Sequence, residues 1–267
     1  MLDLSTVRIA FLGFGNMASA MADGWIRSGA VKPEQFGAAS RRQDVLEART
    51  KARGMKAFAT CEEAALWADV VVVAVKPHLV EGVVKPIRGI LKDRLVLSVA
   101  VGRLFDFYES ILEPGTRHLS TLPNTPVSIN EGIVICEARH SMTLDDEAFV
   151  EQLFAKLGLA EFADEKMMSA AGTLAGCGPA FAAMFIEALA DGAVKHGVPR
   201  AAAYSLASQM LAGTAKLQLE TGAHPSAMKD AVCSPGGTTI IGVAALERKG
   251  FRSAVIDAID AIETRSR

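Results

Sequence analysis

Two stretches of this chain carry residue types whose spacing could do chemistry. The first is Cys233-Ser234-Pro235-Gly236-Gly237-Thr238-Thr239-Ile240, which follows a polar run from His224 to Asp230 and precedes an apolar helical pattern through Ile241, Val243, Ala244 and Leu246. Pro235 cannot continue a preceding helix, and Gly236 and Gly237 let the backbone turn tightly and approach a ligand closely. Two hydroxyls then sit where a new helix starts. The first amides of a helix lack internal partners and lie at the positive end of its dipole. Ser234, Gly236, Gly237, Thr238 and Thr239 therefore outline a cradle for a small anion such as a carboxylate. Taken alone, the stretch is better explained by a glycine turn with a threonine N-cap, and the rest of the chain shifts that balance.

The second stretch is Gly13-Phe14-Gly15-Asn16-Met17-Ala18. It follows the strand-length apolar run Val7 to Leu12 and opens a helical pattern through Ala18, Met21, Ala22 and Trp25. Strand, glycine turn and helix with a GxGxxA pattern have a physical logic. Gly13 serves the tight turn, Gly15 lets the backbone meet a pyrophosphate, and Ala18 allows close helix–strand packing. The next predicted strand, Gln35 to Ala39, ends at Ser40-Arg41-Arg42. An acidic residue there would bind ribose hydroxyls and repel a 2′-phosphate. A hydroxyl and two guanidiniums suit that phosphate instead, so the pattern favours NADPH while leaving NADH usable.

The elements that position these stretches can be read in order. A helix is predicted over Gln43–Ala52, a short strand over Gly54–Ala59, a helix over Glu62–Trp67 and a buried strand over Val70–Ala74. That strand ends at Val75-Lys76-Pro77, at the carboxyl edge where open α/β sheets bind ligands. A helix from His78 to Leu91, broken at Pro86, precedes a strand over Leu95–Ala100 and a helix over Leu104–Leu112. A strand over His118–Thr121 leads into the stiff loop Leu122-Pro123-Asn124-Thr125-Pro126. A strand at Ile133–Cys136, a helix at Leu144–Leu157 and a short strand at Glu161–Ala163 complete the pattern. The fold class is α/β, a Rossmann-type doubly wound and mostly parallel sheet over residues 1–163.

After about Asp164 the composition changes to long Ala- and Gly-rich helical patterns, so residues 164–267 are read as an all-α domain. Its helices are predicted at Pro179–His196, Pro199–Thr221, Pro225–Val232, from the Gly-Thr-Thr stretch to near Gly250, and from Phe251 to about Ser266. The first is apolar nearly all round, which calls for burial against a partner subunit. Asp191 and Lys195, four apart, are expected to pair. Asp257, Asp260 and Glu263 read as a solvated face.

Composition narrows the function. The 28 basic and 30 acidic side chains give no excess charge for nucleic acid or anionic lipid. No apolar run reads as long enough to span a bilayer, and no signal peptide is expected. The four scattered cysteines contain no CxxC pair, which points to a reducing, cytoplasmic setting, and the five histidines show no metal-ligand spacing.

With both halves placed, the chain resembles pyrroline-5-carboxylate reductases essentially from end to end. The resemblance rests on FLGFGNMA at 11–18, AVKP at 74–77, PNTP at 123–126, GCGPAF at 176–181, EALADGAVKHGVPR at 187–200, HPSAMKD at 224–230 and SPGGTTIIGVAALERKGFR at 234–252. The last block is far more distinctive than the dinucleotide motif. The resemblance implies reduction of 1-pyrroline-5-carboxylate to L-proline with NAD(P)H, a Rossmann domain and an all-α dimerisation domain. It further implies a homodimer through the C-terminal helices, often rings of such dimers, and a site shared with the partner subunit. Gly13, Phe14, Gly15, Asn16, Met17 and Ala18 would hold the pyrophosphate, and Ser40 and Arg41 the 2′-phosphate. Ala74, Val75, Lys76 and Pro77 would line the cofactor cleft, with Pro123 and Asn124 near the nicotinamide ribose. The amides of Gly237, Thr238 and Thr239 would hold the substrate carboxylate, with the Thr239 hydroxyl facing the ring nitrogen. The chain departs from the family pattern at Cys177 (usually Ser), Leu122 (usually Met) and Cys61 (often Asn).

The chemistry fits what the motifs lack. Reducing a carbonyl creates an alkoxide that needs a positioned acid or a metal. A cyclic imine protonates near neutral pH and is already electrophilic as the iminium, so positioning does most of the catalysis, with Thr239 as proton donor or orienting group. Two rivals remain: another imine reductase or a β-hydroxyacid dehydrogenase, the latter needing Lys195 or Lys229 as acid/base, and a non-catalytic NADPH-binding regulator.

Overall fold

The computed structural model describes residues 2–265. Eight strands form one sheet: β1 Ile9–Leu12, β2 Phe36–Ala39, β3 Lys56–Phe58, β4 Val70–Val73, β5 Leu95–Ser98, β6 Arg117–Pro123, β7 Gly132–Glu137 and β8 Gly158–Ala163. Their order is β3-β2-β1-β4-β5-β6-β7-β8. Neighbours run parallel except β6 and β7, where Thr121 faces Cys136 and Pro123 faces Val134. The order of the first six strands reverses direction between β1 and β4, as in doubly wound dinucleotide-binding sheets. The predicted α/β class and mostly parallel sheet are what the chain forms.

Burial on both faces explains the strand sequences. All four valines of β4 are inaccessible, so the strand carries no polar alternation. One face packs under an aromatic stack in which Trp25 lies 5.9 Å from Phe36 and 6.4 Å from Phe154. The Trp25 indole N–H donates to the Leu153 carbonyl at 2.8 Å, so its one polar atom is satisfied inside the core. The other face carries Leu12, Val71, Val73, Val96 and Tyr108. Thr143 and Asp146 cap the helix Leu144–Phe154 reciprocally.

Pro86 breaks the segment after β4 as expected, into short helices Val80–Val84 and Arg88–Leu91 joined by a 3₁₀ turn, and a second 3₁₀ turn at Pro77–Leu79 precedes them. β6 runs two residues beyond its predicted end, so Pro123 closes the strand instead of standing in the loop.

Pro179 is the main departure from the sequence expectation. It does not start a helix. It lies inside one, Glu165–Lys195, which begins fourteen residues earlier than predicted. An interior proline lacks the N–H that would donate to the carbonyl four residues back, here Ala175. The Asn124 side chain fills that role, donating from Nδ2 to the Ala175 oxygen at 3.1 Å. By length and composition this uninterrupted helix could cross a bilayer, which corrects the reading that no apolar run is long enough. Splitting the run at Pro179 hides its length. Asp191 pairs with Arg200 and not with Lys195, because Arg200 follows the Gly197 turn and brings a planar fork to the carboxylate.

The described chain packs as two compact units, which divide between Gly176 and Cys177. In the second unit lie the helices Arg200–Thr221, Pro225–Ala231, Thr238–Arg248 and Phe251–Arg265. The expected end of the last helix, Ser266, falls outside the described residues. Small residues such as Ala190, Ala203 and Ala207 are buried in this unit, whereas Met184, Leu206, Leu219 and Ile241 are each more than 60% exposed in the single chain. That much exposed apolar surface is uncommon on a monomer.

Candidate active site

In the first unit the glycine turn joins β1 to the helix Asn16–Arg27. Gly13 has φ +92°, and a Cβ there would lie 2.7 Å from Val75 Cγ1 and 2.8 Å from the Ala74 oxygen. Its amide donates to the Ala39 carbonyl at 2.8 Å, tying the turn to the end of β2. Gly13 is thus needed by the packing of the AVKP segment as well as by the turn. Gly15 differs: its φ of −87° suits any residue, and a methyl group there would have nothing within 4 Å of it. It is the N-cap of the helix with no side-chain capping bond, so no side chain occupies the first helix amides. Asn16 is exposed, Met17 half-buried and Ala18 buried. Phe14 turns into the core, with its ring 5.5 Å from Phe11, so only its backbone is available to a ligand.

Ser40 is half-buried and Arg41 and Arg42 are exposed beyond the end of β2. Neither guanidinium takes part in an ion pair among the described residues. At the end of β4, Ala74 donates its amide to Leu12 at 2.8 Å, and Val75, Lys76 and Pro77 follow along the carboxyl edge. Pro123 and Asn124 end β6 at the same edge. Asn124 is buried, and its Oδ1 accepts from the Ile133 amide at 2.8 Å while Nδ2 reaches Ala175. Its side chain therefore shapes the loop through backbone bonds.

Two residues that hold these loops escaped the sequence reading. Arg49 Nη1 donates to the Phe14 carbonyl, and Arg103 Nε to the Pro77 carbonyl, each at 3.1 Å. Both are helix- or loop-borne arginines outside any motif, so spacing offers no signal for them. Cys61 opens the helix Cys61–Trp67 and is half-buried, and burial pushes its thiol pKa up, which keeps it neutral.

In the second unit, Ser234 to Gly237 forms a tight turn. The Gly237 amide donates to the Ser234 carbonyl at 3.0 Å, and Gly236 has φ +69°, with Pro235 before it, the residue pattern of a type II turn. A side chain at Gly237 would collide with Ser234 Oγ. Gly237 is the N-cap of the helix Thr238–Arg248 and offers no side-chain cap. The turn engages the Gly237 amide, so Thr238, Thr239 and Ile240 supply the open amides at the helix start. Thr238 and Thr239 are exposed, and neither hydroxyl is hydrogen-bonded among the described residues. The rival acid/base Lys229 pairs with Asp230 at 3.1 Å and borders a cavity of about 290 Å³ lined by Val243, Leu246 and Phe251. Among the described residues no group of His, Cys, Asp and Glu could hold a metal ion.

A doubly wound sheet with an open glycine turn before its first helix, and paired guanidiniums after β2, define a nicotinamide-dinucleotide oxidoreductase. Residues 165–267 match the family model for pyrroline-5-carboxylate reductase dimerisation, and residues 8–102 that for NADP oxidoreductase, coenzyme F420-dependent. The chain is 40% identical over 259 residues to pyrroline-5-carboxylate reductase of Treponema pallidum, covering 96% of this chain and 98% of that one. It is 42% identical over 253 residues to the Escherichia coli protein of the same name, covering 94% of each. The solved pyrroline carboxylate reductase of Plasmodium falciparum, with NADP bound, superposes with a TM-score of 0.87 at 28% identity, over 98% of this chain and 97% of that one. The chain belongs to the pyrroline-5-carboxylate reductase family.

Proposed function

We propose that this chain reduces L-1-pyrroline-5-carboxylate to L-proline with NADPH preferred over NADH. The observation that carries the reading is the start of the helix Thr238–Arg248: without a side-chain cap, exposed, and bearing two hydroxyls that have no hydrogen-bond partner among the described residues. A substrate carboxylate would accept from the Thr238 and Thr239 amides there, favoured by the helix dipole. The Gly13–Ala18 turn fits a pyrophosphate because Gly15 leaves open space where a side chain would intrude. Ser40 and Arg41 would receive the 2′-phosphate, and Ala74, Val75, Lys76, Pro77, Pro123 and Asn124 would border the nicotinamide half. The cofactor supplies a hydride from C4 of its nicotinamide.

The chain's own tasks are then few. The amides at 238 and 239 fix the ring by its acid group, which orients the iminium carbon. The Thr239 hydroxyl lies within the same helix turn and can orient the ring nitrogen or return its proton. When hydride adds to the carbon, the C=N π pair becomes the nitrogen lone pair of a secondary amine. No alkoxide forms, so neither Lys195 nor Lys229 is needed. The reading includes a homodimer through the C-terminal helices, a ring of such dimers and a cytoplasmic setting. Light scattering on the purified protein tests the assembly.

The deciding experiment is NADPH oxidation with pyrroline-5-carboxylate, repeated with NADH and with the six-membered homologue. Thr239→Ala should lower turnover by about tenfold to a thousandfold. Wild-type turnover in that variant would remove Thr239 from the mechanism.

A further inference from the structure

Glu137 is a carboxylate where a parallel sheet has little use for one. It ends β7, is only 2% exposed, and sits beneath the start of the helix Phe105–Ile111. Its Oε2 accepts from the Phe105 amide at 2.8 Å. Around this bond is a clamp. Arg139, two residues on, makes a two-bond pair with Asp106 at 3.0 and 2.7 Å and lies over the Phe105 ring at 4.7 Å. The other face of the same region is closed by the buried His118 ring, 5.0 Å from Phe105.

What this clamp holds is the segment that leaves β5. Residues 99–104 run from the carboxyl edge of β5 to the helix at Phe105, and the segment is fixed at two points near its end. One is the Phe105–Glu137 bond, and the other is Arg103 Nε on the Pro77 carbonyl at 3.1 Å. Between β5 and those anchors, Val101 is 68% exposed and Gly102 has φ +72°. In a sheet of this order the dinucleotide crosses the switch between β1 and β4. With Ser40 and Arg41 beyond β2 as the 2′-phosphate residues, the nicotinamide half would fall on the β4, β5 and β6 side, over this segment.

We propose that Glu137 is a positioning residue: by accepting from the Phe105 amide it sets the segment 99–104 against the nicotinamide half of the cofactor. The inference rests on the cofactor reading above. Burying a carboxylate is costly unless its hydrogen bonds are strong, and here the bond goes to a free helix amide, where a negative charge is favoured.

The test uses the full-length enzyme with two variants, E137L and E137Q, and two ligands. NADPH engages both halves of the cleft, whereas 2′,5′-ADP engages only the glycine turn and the end of β2. E137L, which removes the acceptor, should weaken NADPH binding about fivefold to twentyfold by fluorescence titration. It should leave 2′,5′-ADP binding within twofold of wild type, and raise KM for NADPH more than it lowers kcat. E137Q keeps an oxygen facing the amide and should bind NADPH within about twofold of wild type. A melting curve on each variant separates these effects from loss of fold. Equal loss of both ligands in E137L, unchanged NADPH binding in E137L, or E137Q as weak as E137L each overturns the proposal. A wild-type protein that binds neither ligand overturns the cofactor reading and this inference together. One that binds both, with E137L unaffected, overturns only the role of Glu137.

Discussion

Asn124 and Pro179 lie in two different motifs, and the structure makes them one device that a double-mutant cycle can measure. Asn124→Ala removes the acceptor of the Ile133 amide and the donor to the Ala175 carbonyl, bonds of 2.8 and 3.1 Å around a residue only 5% exposed. Each orphaned buried backbone group costs about 1–3 kcal/mol, so the substitution should cost roughly 2–6 kcal/mol. In Pro179→Ala the new N–H at 179 reaches the Ala175 carbonyl as in any helix. One of the two penalties then disappears, and Asn124→Ala should cost about 1–3 kcal/mol. The coupling is therefore about 1–3 kcal/mol, above the scatter expected of independent sites. Pro179→Ala alone should be neutral or stabilising, because an interior proline disfavours a helix by about 3 kcal/mol relative to alanine. Urea denaturation of all four proteins at one fixed protomer concentration gives the cycle, since association shifts apparent stability. If the two single costs add within about 0.3 kcal/mol, Asn124 is not standing in for the missing proline N–H.

Gly13→Ala and Gly15→Ala should fail in different ways. The first meets Val75 and the Ala74 carbonyl at 2.7–2.8 Å with φ +92° and should lose about 2–4 kcal/mol of stability, read as a lower Tm. The second meets nothing in the protein and should melt within a degree or two of wild type while its NADPH Kd rises about tenfold or more, by titration. Arg41→Ala should raise KM for NADPH about tenfold and leave KM for NADH nearly unchanged in steady-state assays, because only the 2′-phosphate differs. Burial holds the His118 pKa below the ordinary histidine value. Between that lowered value and about 6.5 the unfolded chain binds the extra proton, so stability falls as pH drops through this window. Burial pushes the Glu137 carboxyl up, which acts in the opposite sense just above the ordinary glutamate range. His118→Gln should therefore flatten the loss of stability as pH falls below about 6.5 in denaturation curves, and an unchanged slope would assign it to other groups.

Much of the site was legible because its residues answer to local rules. Gly13 must take a positive φ, Gly236 must follow Pro235 in its turn, and the valines of β4 must be covered on both faces. Each of these follows from the residue and its near neighbours. The guanidiniums at 41 and 42 were visible for the same reason: position after β2 and charge are both sequence properties. Arg49 and Arg103 were not visible, since each acts on a carbonyl more than twenty residues away and no spacing rule connects them.

The sequence alone determined the alternation of strands and helices, the turns at 13–15 and 234–237, and the family resemblance, because short-range sterics and periodicity specify all three. Only the tertiary structure decided that Pro179 sits inside a helix and that Asp191 pairs with Arg200. An interior proline costs a helix less when the carbonyl it deprives finds another donor, and here that donor, Asn124, comes from a strand end fifty-one residues away. A local rule cannot see a hydrogen bond supplied from that distance, and that bond changes which local outcome is lowest in free energy.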